Sequence, residues 1–132
     1  MTLELDRVDH IVLSCVDPER SIAWYQKVLG MKAETYGDGR TALKFGQQKL
    51  NVRRTGTPTW KTSDVDTPGA LDLCFITKST PAAVVDHFKA CGALAVSGPI
   101  IRSGALGPIA SVYCNDPDGN LIEVASYVTG ED

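Results

Sequence analysis

Apolar and polar residues alternate from Val8 onward. Ile11, Leu13 and Cys15 fall on one side of an extended run, with His10, Val12 and Ser14 on the other. This spacing predicts a strand over about Val8–Val16, and the chain reads as strand almost from its start. Asp17 then suits a helix N-cap, and Pro18 suits the first turn, where its missing N–H is not needed. Ile22, Tyr25 and Leu29, flanked by Trp24 and Val28, recur at helical spacing, and Gly30 supplies a left-handed stop. Three strands are predicted next, at about Lys32–Gly37, Arg40–Phe45 and Leu50–Arg54, with turns at Gly37-Asp38-Gly39 and Gly46-Gln47-Gln48. Residues Thr55 to Pro68 are rich in Thr, Pro and Asp and have no period, which marks a linker. The scheme then repeats. A strand over Leu71–Thr77 sets Leu71, Leu73 and Phe75 opposite Asp72, Cys74 and Ile76. Thr80 caps a helix carrying Val84, Val85 and Phe88 that stops at Gly92, and strands follow at about Leu94–Ile101, Ala110–Asn115 and Asn120–Tyr127.

The repeat has a measurable offset. His10 and Asp72 are 62 positions apart, as are Gly30 and Gly92. The ends of the halves align at 70, which sets Arg53 against Glu123. The predicted fold is therefore α+β: two tandem βαβββ modules forming an open, cup-shaped mixed sheet with the helices outside. One domain spans 1–132, with module one at 7–54, a linker at 55–70 and module two at 71–127. The eight extra residues of module two fall in Ile101–Pro108, where a mobile hairpin loop is expected and Arg102-Ser103-Gly104 forms a candidate lid. His10, Arg53, Asp72 and Glu123 break an apolar pattern and would share the cup. Asn51 and Tyr127 have the same alternation parity and should face it, with Tyr113 and Ser111 as candidates for its wall.

Composition narrows the classes. The net charge of −3 is spread over interspersed signs, so neither nucleic acid nor an anionic membrane is an expected partner. No apolar run approaches the roughly 18 residues of a membrane span. The acidic start does not read as a signal peptide, so the expected location is the cytoplasm. Cys15, Cys74, Cys91 and Cys114 lack CxxC spacing and read as reduced, buried thiols. His87, Trp24 and Tyr25 read as helix residues with structural roles, and Asp116-Pro117-Asp118-Gly119 as a turn. No nucleophile–His constellation and no phosphate loop is visible.

Three stretches in order, V-D-H-I-V-L, W-Y-Q-K-V-L-G-M and D-P-D-G-N-L-I-E-V, resemble the vicinal oxygen chelate superfamily of glyoxalases, bleomycin-resistance proteins and extradiol dioxygenases. A-L-K-F-G-Q-Q-K-L-N-V, P-G-A-L-D-L-C-F-I-T and G-P-I-A-S-V-Y further resemble its glyoxalase domain-containing protein 5 subgroup. The resemblance implies a divalent metal in the cup and a homodimer, with modules paired within a chain or exchanged between chains. His10 matches the first-strand His and Glu123 the last-strand Glu. Asp72 sits where the second module usually supplies His. Arg53 sits where glyoxalase-type members supply Glu. A guanidinium has no lone pair to give, so Arg53 cannot be a ligand. What remains is His10, Asp72 and Glu123, a set suited to Mn²⁺, Fe²⁺, Ni²⁺ or Zn²⁺. The implied function is a metal-dependent lyase or isomerase acting on a small oxygenated, anionic substrate. Glu123 would serve as base and Arg53 as clamp, with Asn51, Arg102, Tyr113 and Tyr127 lining the substrate. The alternatives are a metal-free sequestering protein, in which Arg53 bridges Asp72 and Glu123 as an ion pair, and a dioxygenase.

Overall fold

A computed structural model describes residues 2–128, so the polar tail read from Thr129 lies outside the described residues. The chain divides into two compact units, 1–67 and 68–132. Each is a four-stranded mixed sheet with one helix, as the repeat predicts.

Unit one runs β1 (His10–Cys15), α1 (Pro18–Leu29), β2 (Lys32–Tyr36), β3 (Arg40–Phe45) and β4 (Gln48–Arg54), with sheet order β1-β4-β3-β2. The first strand begins only at His10; residues 2–9 form no strand and are exposed. Asp17 caps α1, its carboxylate accepting from the Arg20 N–H at 3.3 Å, and Gly30 ends it at φ 66°. The buried stripe of α1 is Ser21, Tyr25 and Val28, one step round the helix from the predicted Ile22–Tyr25–Leu29 line. It faces Leu13, Cys15, Leu43, Leu50 and Val52, which alternate out of the sheet as a buried layer.

Unit two runs β5 (Asp72–Ile76), α2 (Pro81–Ala90), β6 (Leu94–Gly104), β7 (Gly107–Asn115) and β8 (Leu121–Tyr127), ordered β5-β8-β7-β6. The Thr80 hydroxyl accepts from the Ala83 N–H at 3.2 Å, and Val84 and Phe88 seat the helix. Asp116 and Asn120 fix the start of β8. Asp116 accepts the Asp118 and Asn120 backbone N–H groups at 3.0 and 2.9 Å and the Asn120 side-chain amide at 2.6 Å. Asn120 in turn accepts the Leu71 N–H at 2.9 Å, tying β5 to β8.

Two expectations change here. The segment Ile101–Pro108 is not a mobile loop. β6 and β7 stay paired to Gly104↔Gly107, leaving only Ala105 and Leu106 in the turn. The Tyr127 hydroxyl accepts the Leu106 N–H at 3.2 Å, so the tip is pinned and Arg102 is a strand residue paired with Ile109, not part of a lid. The cysteines also divide. None forms a disulfide among the described residues, but Cys74 is exposed and Cys91 half-buried beside His87, while Cys15 and Cys114 are buried.

Candidate functional site

The ladders show which positions are equivalent. In unit one β1 pairs with β4 in parallel, His10↔Lys49 and Val12↔Asn51. In unit two β5 pairs with β8 in parallel, Asp72↔Leu121 and Cys74↔Glu123. His10 and Asp72 are counterparts, as expected. The counterpart of Glu123 is Asn51, at an offset of 72, because the turn before β8 is longer than the Gly46-Gln47 turn before β4. The expected pairing of Arg53 with Glu123 is thus wrong by two residues; Arg53 occupies the place of Ala125.

Arg53 also has other work. It is 5 % exposed, and its guanidinium is engaged on three sides by the linker. Nε donates to the Trp60 carbonyl at 3.0 Å, Nη2 to the Thr57 carbonyl at 2.9 Å and Nη1 to the Asp66 carboxylate at 2.6 Å. Its ion-pair partner is Asp66, not Asp72 or Glu123. The Gly56 N–H and the Arg53 guanidinium hold the Asp66 carboxyl down at about 2. Arg40 lies 4.2 Å over the Trp60 ring, a second fastening of the same segment. The aperiodic stretch is therefore a strap built onto unit one, not a free linker.

Glu123 is the acid held on the open face of unit two. The face of the sheet away from α2 reads in rows: Cys74, Glu123, Tyr113 and Ser97 across one, Ile76, Ala125, Ser111 and Ile100 across the next. The Ser111 hydroxyl donates to Glu123 Oε2 at 2.5 Å. Cys74 lies opposite Glu123 in the ladder; partial desolvation of this otherwise exposed thiol, with the carboxylate beside it, pushes it up to about 11. This face holds two adjoining clefts of about 420 and 400 Å³ that share Arg102, Tyr113 and Glu123. Tyr127 lines one and Asp72 the other. Arg102 Nε donates to the Tyr113 hydroxyl at 3.0 Å on their common wall. Five of the expected site residues thus meet on one face of unit two: Asp72, Arg102, Tyr113, Glu123 and Tyr127.

On unit one, His10 is about half exposed. Its Nδ1 lies 2.9 Å from the Asp9 carboxylate, which leaves Nε2 available and draws the Asp9 carboxyl below its usual range. Asn51 faces the same side as His10 and is buried, its Oδ1 without a hydrogen-bond partner. Among the described residues no three His, Cys, Asp or Glu side chains form a ready-made metal cluster. Sequence reasoning missed Cys74 as a neighbour of Glu123 and Lys49 as a neighbour of His10. Strand parity alone carried both signals.

Comparison with known proteins agrees with this architecture. The chain is 44 % identical over 124 residues to the virulence protein STM3117 of Salmonella typhimurium, covering 94 % of this chain and 86 % of that one. It is 42 % identical over 125 residues to the glyoxalase domain-containing protein RDO1 of Mycosarcoma maydis, covering 95 % and 70 %. An integron cassette protein from the mobile metagenome of V. Cholerae superposes with a TM-score of 0.93 at 40 % identity, covering 97 % of this chain and all of that one. The model of the glyoxalase/bleomycin resistance protein/dioxygenase superfamily matches residues 7–124, from just before β1 into β8, and the chain belongs to that superfamily.

Proposed function

We propose that the protein is a glyoxalase-type lyase or isomerase of the glyoxalase domain-containing protein 5 kind. It would act on a small oxygenated anion with a divalent cation held by His10, Asp72 and Glu123. The observation that carries this reading is Glu123 itself: a carboxylate fixed by Ser111 on the floor of a cleft that Asp72 also lines. The donor set fits a cation. His10 turns Nδ1 to Asp9 and keeps Nε2, the outer-carboxylate arrangement that orients a ligating imidazole. One imidazole and two carboxylates suit Mn²⁺, Fe²⁺, Ni²⁺ or Zn²⁺. The reading needs the two units, of one chain or of two copies, to bring these side chains within reach of one ion.

Bound there, the cation would supply Lewis-acid polarisation of substrate oxygens. Glu123 would take up and return the proton. Ser111 fixes one of its oxygens, and the other would leave the cation to reach the substrate carbon. Arg102, Tyr113 and Tyr127 would orient the substrate from the walls. With Arg53 removed to the strap, two carboxylates balance the dication, and any anion recognition falls to other cations.

Metal analysis of protein purified without chelators tests the proposal. The expected result is a stoichiometric divalent ion in the wild type, lost in Glu123→Ala and weakened in His10→Ala, with circular dichroism unchanged. Wild-type protein that carries and takes up no divalent ion, yet binds a small ligand tightly, would overturn it in favour of a sequestering protein.

A further inference from the structure

The face of unit one away from α1 carries a basic array of which the proposed function uses only His10. The ladders align Lys32 on β2, Lys44 on β3, Lys49 on β4 and His10 on β1 in one row across all four strands. Glu34, Ala42, Asn51 and Val12 form the second row, and Tyr36 and Arg40 open the third. The charges here are unequal. Lys44 is neutralised by Glu34 at 3.5 Å, Arg53 by Asp66, and Asp9 stands at the edge beside His10. Among the described residues Lys49 has no such short ion pair. Its ammonium rests 3.9 Å from the centre of the Tyr36 ring.

That placement has a geometric consequence. Lys49 lies in the first row of β4 and Tyr36 in the third row of β2. The lysine stem therefore crosses the second row, beside Asn51 and over the small, buried Ala42. The region beneath it is polar but unsatisfied. Asn51 is 7 % exposed with Oδ1 unpartnered, and the buried Tyr36 hydroxyl is unpartnered as well. A buried polar atom without a partner is costly, so a ligand that supplies the partner is favoured. The Asp9 carboxylate acts on this ammonium only at longer range, so the cation is free to leave the ring face for an oxyanion, which it binds as a point charge.

We infer that this face binds a small hydroxy acid, with Lys49 taking the oxyanion and the Asn51 carbonyl accepting from the hydroxyl beside it. The inference sharpens the anionic-substrate part of the proposed function but uses unit one alone and needs no cation. A test in excess EDTA therefore separates its failure from failure of the metal reading.

The experiment is an amide chemical-shift titration of the whole protein in EDTA, with glycolate and with acetate, which lacks the hydroxyl. Saturable shifts should centre on 32–54, with glycolate bound about tenfold more tightly than acetate, the factor expected of one hydrogen bond to a buried acceptor. Lys49→Met should weaken both acids about tenfold or more, and Lys49→Arg should restore most of that loss. Asn51→Leu should bring the two acids to equal affinity. Lys49 is half-buried and lies outside the buried core, so its outcome stands even where Asn51→Leu fails to fold. Equal affinity of glycolate and acetate for the wild type, shifts centred elsewhere, or unchanged binding in Lys49→Met would each overturn the inference.

Discussion

At the scale of single residues, Arg53 decides how the chain is read. Its sequence position invites a role against Glu123, yet its guanidinium donates to Thr57, Trp60 and Asp66 of the strap. Arg53→Ala should therefore behave as a stability mutation. Loss of a buried, charge-assisted set of bonds costs about 2–4 kcal/mol, visible in urea unfolding, while divalent-ion content stays at the wild-type level. A loss of ion content without a loss of stability would return Arg53 to the site. Asp66 makes the same argument in pH. Its carboxyl is lowered from an ordinary 3.8 to about 2, so it binds protons more weakly folded than unfolded. Its contribution is then fully present above about pH 4 and is lost as pH falls through about 2. Asp66→Asn should lower the melting temperature at pH 7 and flatten its fall between pH 5 and pH 2. An unchanged acid limb in Asp66→Asn would show that the Arg53–Asp66 bond is not what holds the strap. The sequence marks Arg53 as unusual but cannot show its partner. Asp66 sits 13 residues away in a segment with no period, where neither alternation nor helical spacing places a side chain.

Among the elements, the signals that were local in sequence were the reliable ones. Asp17-Pro18 and Thr80-Pro81 cap both helices, Gly30 ends the first, and the parity of every strand places the expected side chains on the face away from the helix. The offset between halves was less secure, because it depends on where insertions fall. Extra residues lengthened β6 and β7 rather than making a loop, since glycines at both ends permit a two-residue turn and Tyr127 caps it. A longer turn before β8 then shifted the equivalence from Arg53 to Asn51. Both features can be tested. A Cβ on Gly104 would lie 2.8 Å from Ile109 Cγ2 and 2.9 Å from the Gly107 carbonyl. Gly104→Ala should thus cost about 1–3 kcal/mol as overpacking and speed hydrogen exchange of the Leu106 amide. Unaltered protection at Leu106 would mean the tip is held without that close approach. Asn120→Ala removes the bonds to Asp116 and to the Leu71 N–H together, leaving a buried carboxylate short of a donor. The expected loss is about 2–4 kcal/mol, measured in urea, from one residue of the D-P-D-G-N turn.

For the whole molecule, each unit leaves two edge strands with a neighbour on one side only, β1 and β2 in unit one and β5 and β6 in unit two. Unpaired edges invite pairing with another chain unless they are blunted or covered. Unit two also exposes branched apolar side chains on or beside these edges: Leu94 at 68 %, Ile101 at 62 % and Ile76 at 54 %. Leu94 and Ile101 share β6, and exposed apolar residues gathered on one strand mark an association surface more often than scattered ones do. The expected state is a homodimer, whose scattering mass is twice the 14.2 kDa of one chain at micromolar concentration. Ile101→Lys places a charge on an edge strand without entering the core, so it should shift the population toward monomer while each unit keeps its fold. A wild-type chain that runs as a monomer at tens of micromolar would end the dimer argument. The proposed cation site would then have to be completed by the two units of a single chain, and His10→Ala and Asp72→Ala chains mixed together should fail to restore ion binding. In an exchanged dimer the same mixture should recover part of it, because one of the two sites would then draw both intact ligands from different chains.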